Sequence, residues 1–270
     1  MMTKRTTIAA VAHNCSTGDS DKNLALMEEV LAGGETSETD IYVFPELNIS
    51  GGVIKTDLAD LGETVPNGSH VREVCALAKR YRTAICAGLV ETATNGTFLT
   101  HFVVTPDGYA GSQRKLIPQN PTKAGPFKSG QTLTPIDLDG TKVAILACAD
   151  FLLPEPSIAA ALESIDLILS PTDSFAASMS SKLKTLQAAR AMDCNAHIIA
   201  AFRIDAQTQS EQIAVIASDP EGKTLLHRTT SHPGTHVFRL DVDLQRTPPR
   251  WGGLPARVQL LEKMLRPYSC

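Results

Sequence analysis

No apolar run in this sequence approaches the roughly 18 residues that a membrane-spanning helix needs. No charge sign dominates either: 25 Lys and Arg against 29 Asp and Glu leave a net charge of −4. That balance argues against the broad basic surface of a dedicated nucleic-acid or anionic-membrane binder, so neither partner is expected. Cys15, Cys75, Cys86, Cys148, Cys194 and Cys270 are scattered, and no two stand at C-x-x-C spacing. In a chain of this size they read as reduced thiols of the cytoplasm rather than as a disulfide framework. The basic start, Met1 to Arg5, is followed by an apolar stretch only from Ile8 to Ala12, so no secretory signal is read. Internal repeats, low-complexity tracts and obvious linkers are also lacking.

What is present is a chain of 270 residues, 43% hydrophobic and 20% charged, long enough to bury a sizeable core. Short apolar runs read as strands at 6–11, 41–44, 83–89, 97–105, 108–116, 143–148, 166–169, 198–202, 213–217, 224–226 and 237–240. Apolar residues at helical spacing mark 71–81 as a helix; 23–31, stopped by Gly33-Gly34, and 182–194, rich in Ala, Leu and Met, also read as helices, with a further candidate at 256–265. Pro106-Asp107-Gly108 is a turn, because Pro presets φ and Gly accepts a positive one. Strands and helices interleave to the end, which implies helices layered over sheets in one α/β domain spanning 1–270. The segment from Pro118 to Gly130, rich in Pro, Gly, Asn and Lys, reads as a long loop of the kind that serves a site.

Three positions stand out by context. Glu46 follows a short buried strand and Pro45, where the chain leaves the sheet, and strand ends are where α/β folds place functional groups. Lys115 sits beside Arg114 at a strand end, a pair that by itself reads as a solvated face. Cys148 ends the apolar run Ile145-Leu146-Ala147, and alone it reads as an inert core thiol, as Cys86 does in a similar strand. Together they make chemical sense. A carboxylate can take the thiol proton, and a lysine can hold the oxyanion formed when sulfur attacks a carbonyl or nitrile carbon. Such a set hydrolyses a C–N bond through a thioester and calls for no metal or cofactor.

The order of these segments resembles the carbon–nitrogen hydrolase, or nitrilase, superfamily. Val11-Ala12-His13 with Asn23-Leu24, Phe44-Pro45-Glu46, Arg114-Lys115, Cys148-Ala149-Asp150 with Pro154-Glu155, Ala189-Arg190-Ala191 and Asp219-Pro220-Glu221-Gly222 are similar to its motifs, in its order. The resemblance implies a four-layer α-β-β-α sandwich that assembles as a homodimer or higher homo-oligomer. It implies Glu46 as general base, Cys148 as nucleophile, and Lys115 with the backbone N–H of Ala149 as oxyanion donors. The substrate it implies is a small amide or carbamoyl compound.

The chain departs from the family at two informative places. A second glutamate is usual after the lysine, but its position here is Lys123, and no Asp or Glu occurs from Leu116 to Ile136. This loss keeps a second reading open: a non-catalytic homologue serving as a ligand-binding or dimerisation module. The residue after the nucleophile is Ala149 rather than the tryptophan of true nitrilases, which favours an amide over a nitrile. Three other features read as structural. Gly222-Lys223-Thr224 is a hairpin turn rather than a phosphate loop, since Ala217 and Pro220 break that pattern. His232 and His236 flank Pro233-Gly234, so they do not share a helical face as metal ligands would. Trp251, the single tryptophan, reads as a packing or interface residue.

Overall fold

A computed structural model of the chain describes residues 5–33, 39–51, 61–118, 127–244, 259–260 and 263–264. Two mixed sheets stack face to face. The first contains β1 (Arg5–Ala12), β2 (Ile41–Val43), β3 (Ala84–Ala93), β4 (Gly96–Thr105), β5 (Gly108–Arg114), β6 (Phe127–Lys128) and the late strand β13 (His236–Asp243). The second contains β7 (Ile136–Leu138), β8 (Thr141–Ile145), β9 (Leu167–Thr172), β10 (His197–Phe202), β11 (Gln212–Ser218) and β12 (Thr224–Thr230). Their orders are β13-β1-β2-β3-β4-β5, with β6 beside β4, and β12-β11-β10-β9-β8-β7. Each sheet is built on a parallel trio, β1-β2-β3 and β8-β9-β10, flanked by antiparallel strands.

The side-chain period of two explains the layering. On β1, Ile8 and Ala10 face the second sheet, while Ala9 and Val11 face the helices. Val143, Ile145, Leu167, Leu169 and Ile199 meet Ile8, Val43 and Val103 across the seam, all wholly buried. Each such side chain stabilises the fold by about 1.5–3 kcal/mol relative to exposure. Helices α1 (Ser20–Gly33) and α2 (Ser69–Tyr81) cover the outer face of the first sheet. Their buried stripes, Leu24-Met27-Leu31 and Val71-Val74-Ala78, follow i, i+3, i+7 spacing. Helices α3 (Ala149–Leu152), α4 (Pro154–Leu162) and α5 (Ser180–Cys194) cover the second sheet. The expected α-β-β-α sandwich is therefore present.

Most elements lie where the sequence places them; β6, inside the expected loop of 118–130, β7 and the one-turn helix α3 are short additions to that reading, and three further differences stand out. Strand β8 ends at Ile145, not at Cys148, because the chain must turn to bring the cysteine out of the ladder. Helix α4, rich in alanine and opened by prolines, is absent from the sequence reading. Strand β12 runs on to Thr230, since its alternating polar residues still pair with β11. The turn at 219–222 is a hairpin connection, with Gly222 at φ +81. The helix expected at 256–265 and the loop of 118–130 lie largely outside the described residues, and Lys123, Trp251 and Cys270 lie wholly outside them. Among the described residues no helix is long and apolar enough to cross a membrane.

Candidate active site

The carboxyl ends of the parallel strands in both sheets converge on one place. Leu146 N–H donates to Leu169 O (3.0 Å) and Cys148 N–H to Pro171 O (2.9 Å), so the segment after β8 rides along β9 without forming a ladder. Arg203 N–H, just past β10, donates to Thr172 O (2.9 Å). The segment after β2 crosses the seam, with Glu46 N–H donating to that same Thr172 carbonyl (3.4 Å).

Glu46 and Lys115 are each 3% exposed. Lys115 Nζ donates to Glu46 Oε1, so the two form a buried ion pair. The lysine backbone is fixed on both sides, its N–H donating to Leu99 O (2.7 Å) and its carbonyl accepting from Gly130 N–H (2.9 Å). Burial opposes the lysine charge, but Glu46, Cys148 and Asp150 outweigh it and raise its pKa. Arg114, the neighbouring cation, turns away: it forms a fork on Glu91 (2.5 and 2.9 Å) and stacks 3.8 Å from the Phe98 ring centroid.

Cys148 lies within electrostatic reach of both members of that pair. Its backbone has φ +47 and ψ −105, a region that ordinary residues rarely occupy. Burial of the thiol, followed by the Glu46 charge, pushes its pKa up, while Lys115 and the Asp173 backbone N–H at the sulfur pull it down. The net direction is upward, so the resting group is a neutral thiol that needs a base. Ala149 opens α3, and the first N–H of a helix has no carbonyl partner within it. Cys86, by contrast, is wholly buried in the seam, and burial alone raises its pKa.

Three charged groups at this place were not singled out from the sequence. Asp150 is wholly buried and accepts N–H groups from Leu116 (3.1 Å) and Ile117 (2.8 Å), the two residues after Lys115. Burial pushes its carboxyl up to about 6, against the pull of those two N–H groups and of Lys115. Asp173, whose backbone N–H reaches the Cys148 sulfur, accepts a hydrogen bond from Arg203 Nε (2.6 Å). The signal for both aspartates is position alone: each stands directly after the apolar run or strand that delivers the site. Among the described residues no group of three or more His, Cys, Asp or Glu could hold a metal ion.

The carbon–nitrogen hydrolase family model matches residues 7–247. An (R)-stereoselective amidase of Pseudomonas sp. is 27% identical over 228 residues, 84% of this chain and 81% of that protein. A nitrilase of Pyrococcus abyssi is 25% identical over 169 residues, 62% of this chain and 64% of its own length. Among solved structures, an amidase from Nesterenkonia sp. AN1, as a variant in complex with acrylamide, superposes with a TM-score of 0.79 at 18% identity, covering 97% of each chain. Another variant of that amidase, carrying the acetamide moiety of fluoroacetamide on its active-site cysteine, superposes at 0.76 and 18% identity, over 88% of this chain and 90% of its own. A match over most of its length, together with the four-layer fold, makes this chain a member of the carbon–nitrogen hydrolase family.

Proposed function

We propose that the chain is an amidase that cleaves a small carboxamide or N-carbamoyl compound through a thioester on Cys148. The observation that carries this reading is the buried Glu46–Lys115 ion pair beside a neutral thiol. A binding module has no chemical use for that arrangement, whereas acyl transfer needs each part.

Glu46 takes the thiol proton as the sulfur attacks the carbonyl carbon, so the resting thiol becomes a nucleophile only at the moment of bond formation. The C=O electron pair moves onto oxygen. Lys115 Nζ and the Ala149 N–H stabilise this oxyanion; burial of the lysine keeps water from competing with it. Collapse breaks the C–N bond, and the proton on Glu46 passes to the leaving nitrogen, which departs as ammonia or an amine. Glu46 then takes a proton from water, the hydroxyl attacks the thioester, and the acid leaves as the proton returns to sulfur. The relatives named as amidases support an amide substrate.

The test is a panel of small amides and N-carbamoyl compounds, with ammonia and the intact mass of the acylated protein as readouts. Wild type is expected to release ammonia and to carry an acyl adduct on Cys148. Cys148→Ala is expected to lose both while keeping its circular dichroism spectrum. Ammonia release that survives this substitution removes the nucleophile assignment.

A further inference from the structure

The peptide groups on both sides of Glu46 are held by strands far from it in sequence. The Glu46 N–H is bound by Thr172 at the end of β9. The next N–H, of Leu47, donates to Nε2 of His101 on β4 (3.2 Å). Leu47 supplies the proton of that bond, so Nε2 is unprotonated and the neutral ring carries its hydrogen on Nδ1. Leu47 has φ +50, a left-handed conformation that a leucine keeps only when its surroundings hold it.

The surroundings are built for this ring. His101 is wholly buried, and burial with the nearby Lys115 charge pushes its pKa down to about 3, so it stays an acceptor through the neutral range. Gly88 lies opposite it in register on β3; a Cβ there would come within 2.2 Å of the ring. The loop after Glu46 is sewn to the same strand, with Ile49 N–H donating to Gly88 O (3.0 Å) and Gly88 N–H to Asn48 Oδ1 (2.9 Å). Nδ1 of His101 has no hydrogen-bond partner among the described residues. An apolar side chain would fill the slot without that unmet donor, so packing alone does not account for a histidine here.

We propose that His101 is a positioning residue for the general base: its neutral imidazole, seated over Gly88, fixes the Glu46–Leu47 peptide and so aims the Glu46 carboxylate at Cys148. This rests on the assignment of Glu46 as the base, and its test is chosen to be readable without a substrate. His101→Gln keeps an acceptor near the Nε2 position, and His101→Met fills the slot without one. Each variant is measured by amide hydrolysis and by the rate at which iodoacetamide alkylates Cys148, followed by peptide mass. His101→Met is expected to lose about tenfold or more in kcat with KM held within about twofold, and to be alkylated correspondingly slowly. His101→Gln is expected to recover both rates to within about threefold of wild type. Wild-type rates in His101→Met, or an equal loss in His101→Gln, overturn the proposal. Should His101→Met fail to fold, His101→Asn replaces it, since its shorter amide cannot reach Leu47; equal rates in the Gln and Asn variants then overturn it. If no amide in the panel is hydrolysed, the functional reading fails by itself, and the alkylation rates still decide the role of His101.

Discussion

Cys148 stands in a backbone conformation that costs an L-residue about 1–3 kcal/mol and a glycine almost nothing. Two substitutions at this position therefore differ in an unusual order. Cys148→Gly is expected to be more stable than Cys148→Ala by about 1 kcal/mol, the reverse of the common ranking. Guanidinium unfolding of both checks this, and a more stable alanine variant contradicts it. Asp150 gives a pH signature. Its carboxyl is raised from 3.8 to about 6 in the folded chain, so between those values the folded state binds more protons than the unfolded one. Its contribution to stability then falls as pH rises through that window, by up to about 3 kcal/mol, and stays lost above it. Asp150→Asn is expected to flatten that slope, as urea unfolding at several pH values would show; an unchanged slope removes the assignment. Neither effect could be read from residue types alone, because a conformation and a desolvation exist only once the chain is folded.

The elements tell how the site is aimed. The apolar runs of β1, β3, β4 and β10 were legible, since each strand buries one face on the seam and the other on helices or loops. So were helix α1, from its glycine stop, and the apolar stripe of α2. The end of β8 was not: Leu146 and Ala147 are as apolar as a strand requires, and the departure from the ladder is set by the turn that Cys148 makes. Helix α4 escaped because its alanines and prolines carry no amphipathic period. His101, with Thr100 beside it, interrupts an apolar strand, and a buried ionisable ring in such a run is the one sequence signal it offered. Its slot can be closed from the other side. Gly88→Ala drives a methyl group into the ring and is expected to lower stability by about 1–3 kcal/mol. The same substitution should reduce kcat more than it raises KM. Thermal melting with steady-state kinetics tests both, and unaltered kinetics would sever Gly88 from the site.

At the scale of the whole molecule, the candidate site belongs to neither sheet alone. The first supplies Glu46 and Lys115, and the second supplies Cys148, Asp173 and Arg203. The resemblance of short motifs in a fixed order anticipated that meeting, while the crossing bonds at Thr172 that hold it together left no mark in the sequence. The last strand is out of chain order: β13 follows all six strands of the second sheet, yet pairs with β1 in the first over eight residues. A chain cut between the exposed residues Gln131 and Thr132 would thus yield two pieces, one carrying base and lysine, the other carrying the thiol and a strand that belongs to its sibling. Produced together, these pieces are expected to find each other through that borrowed strand and regain amide cleavage; produced singly, both should be inert. The enzyme would behave as a complementation pair, with catalysis reporting reunion of the halves.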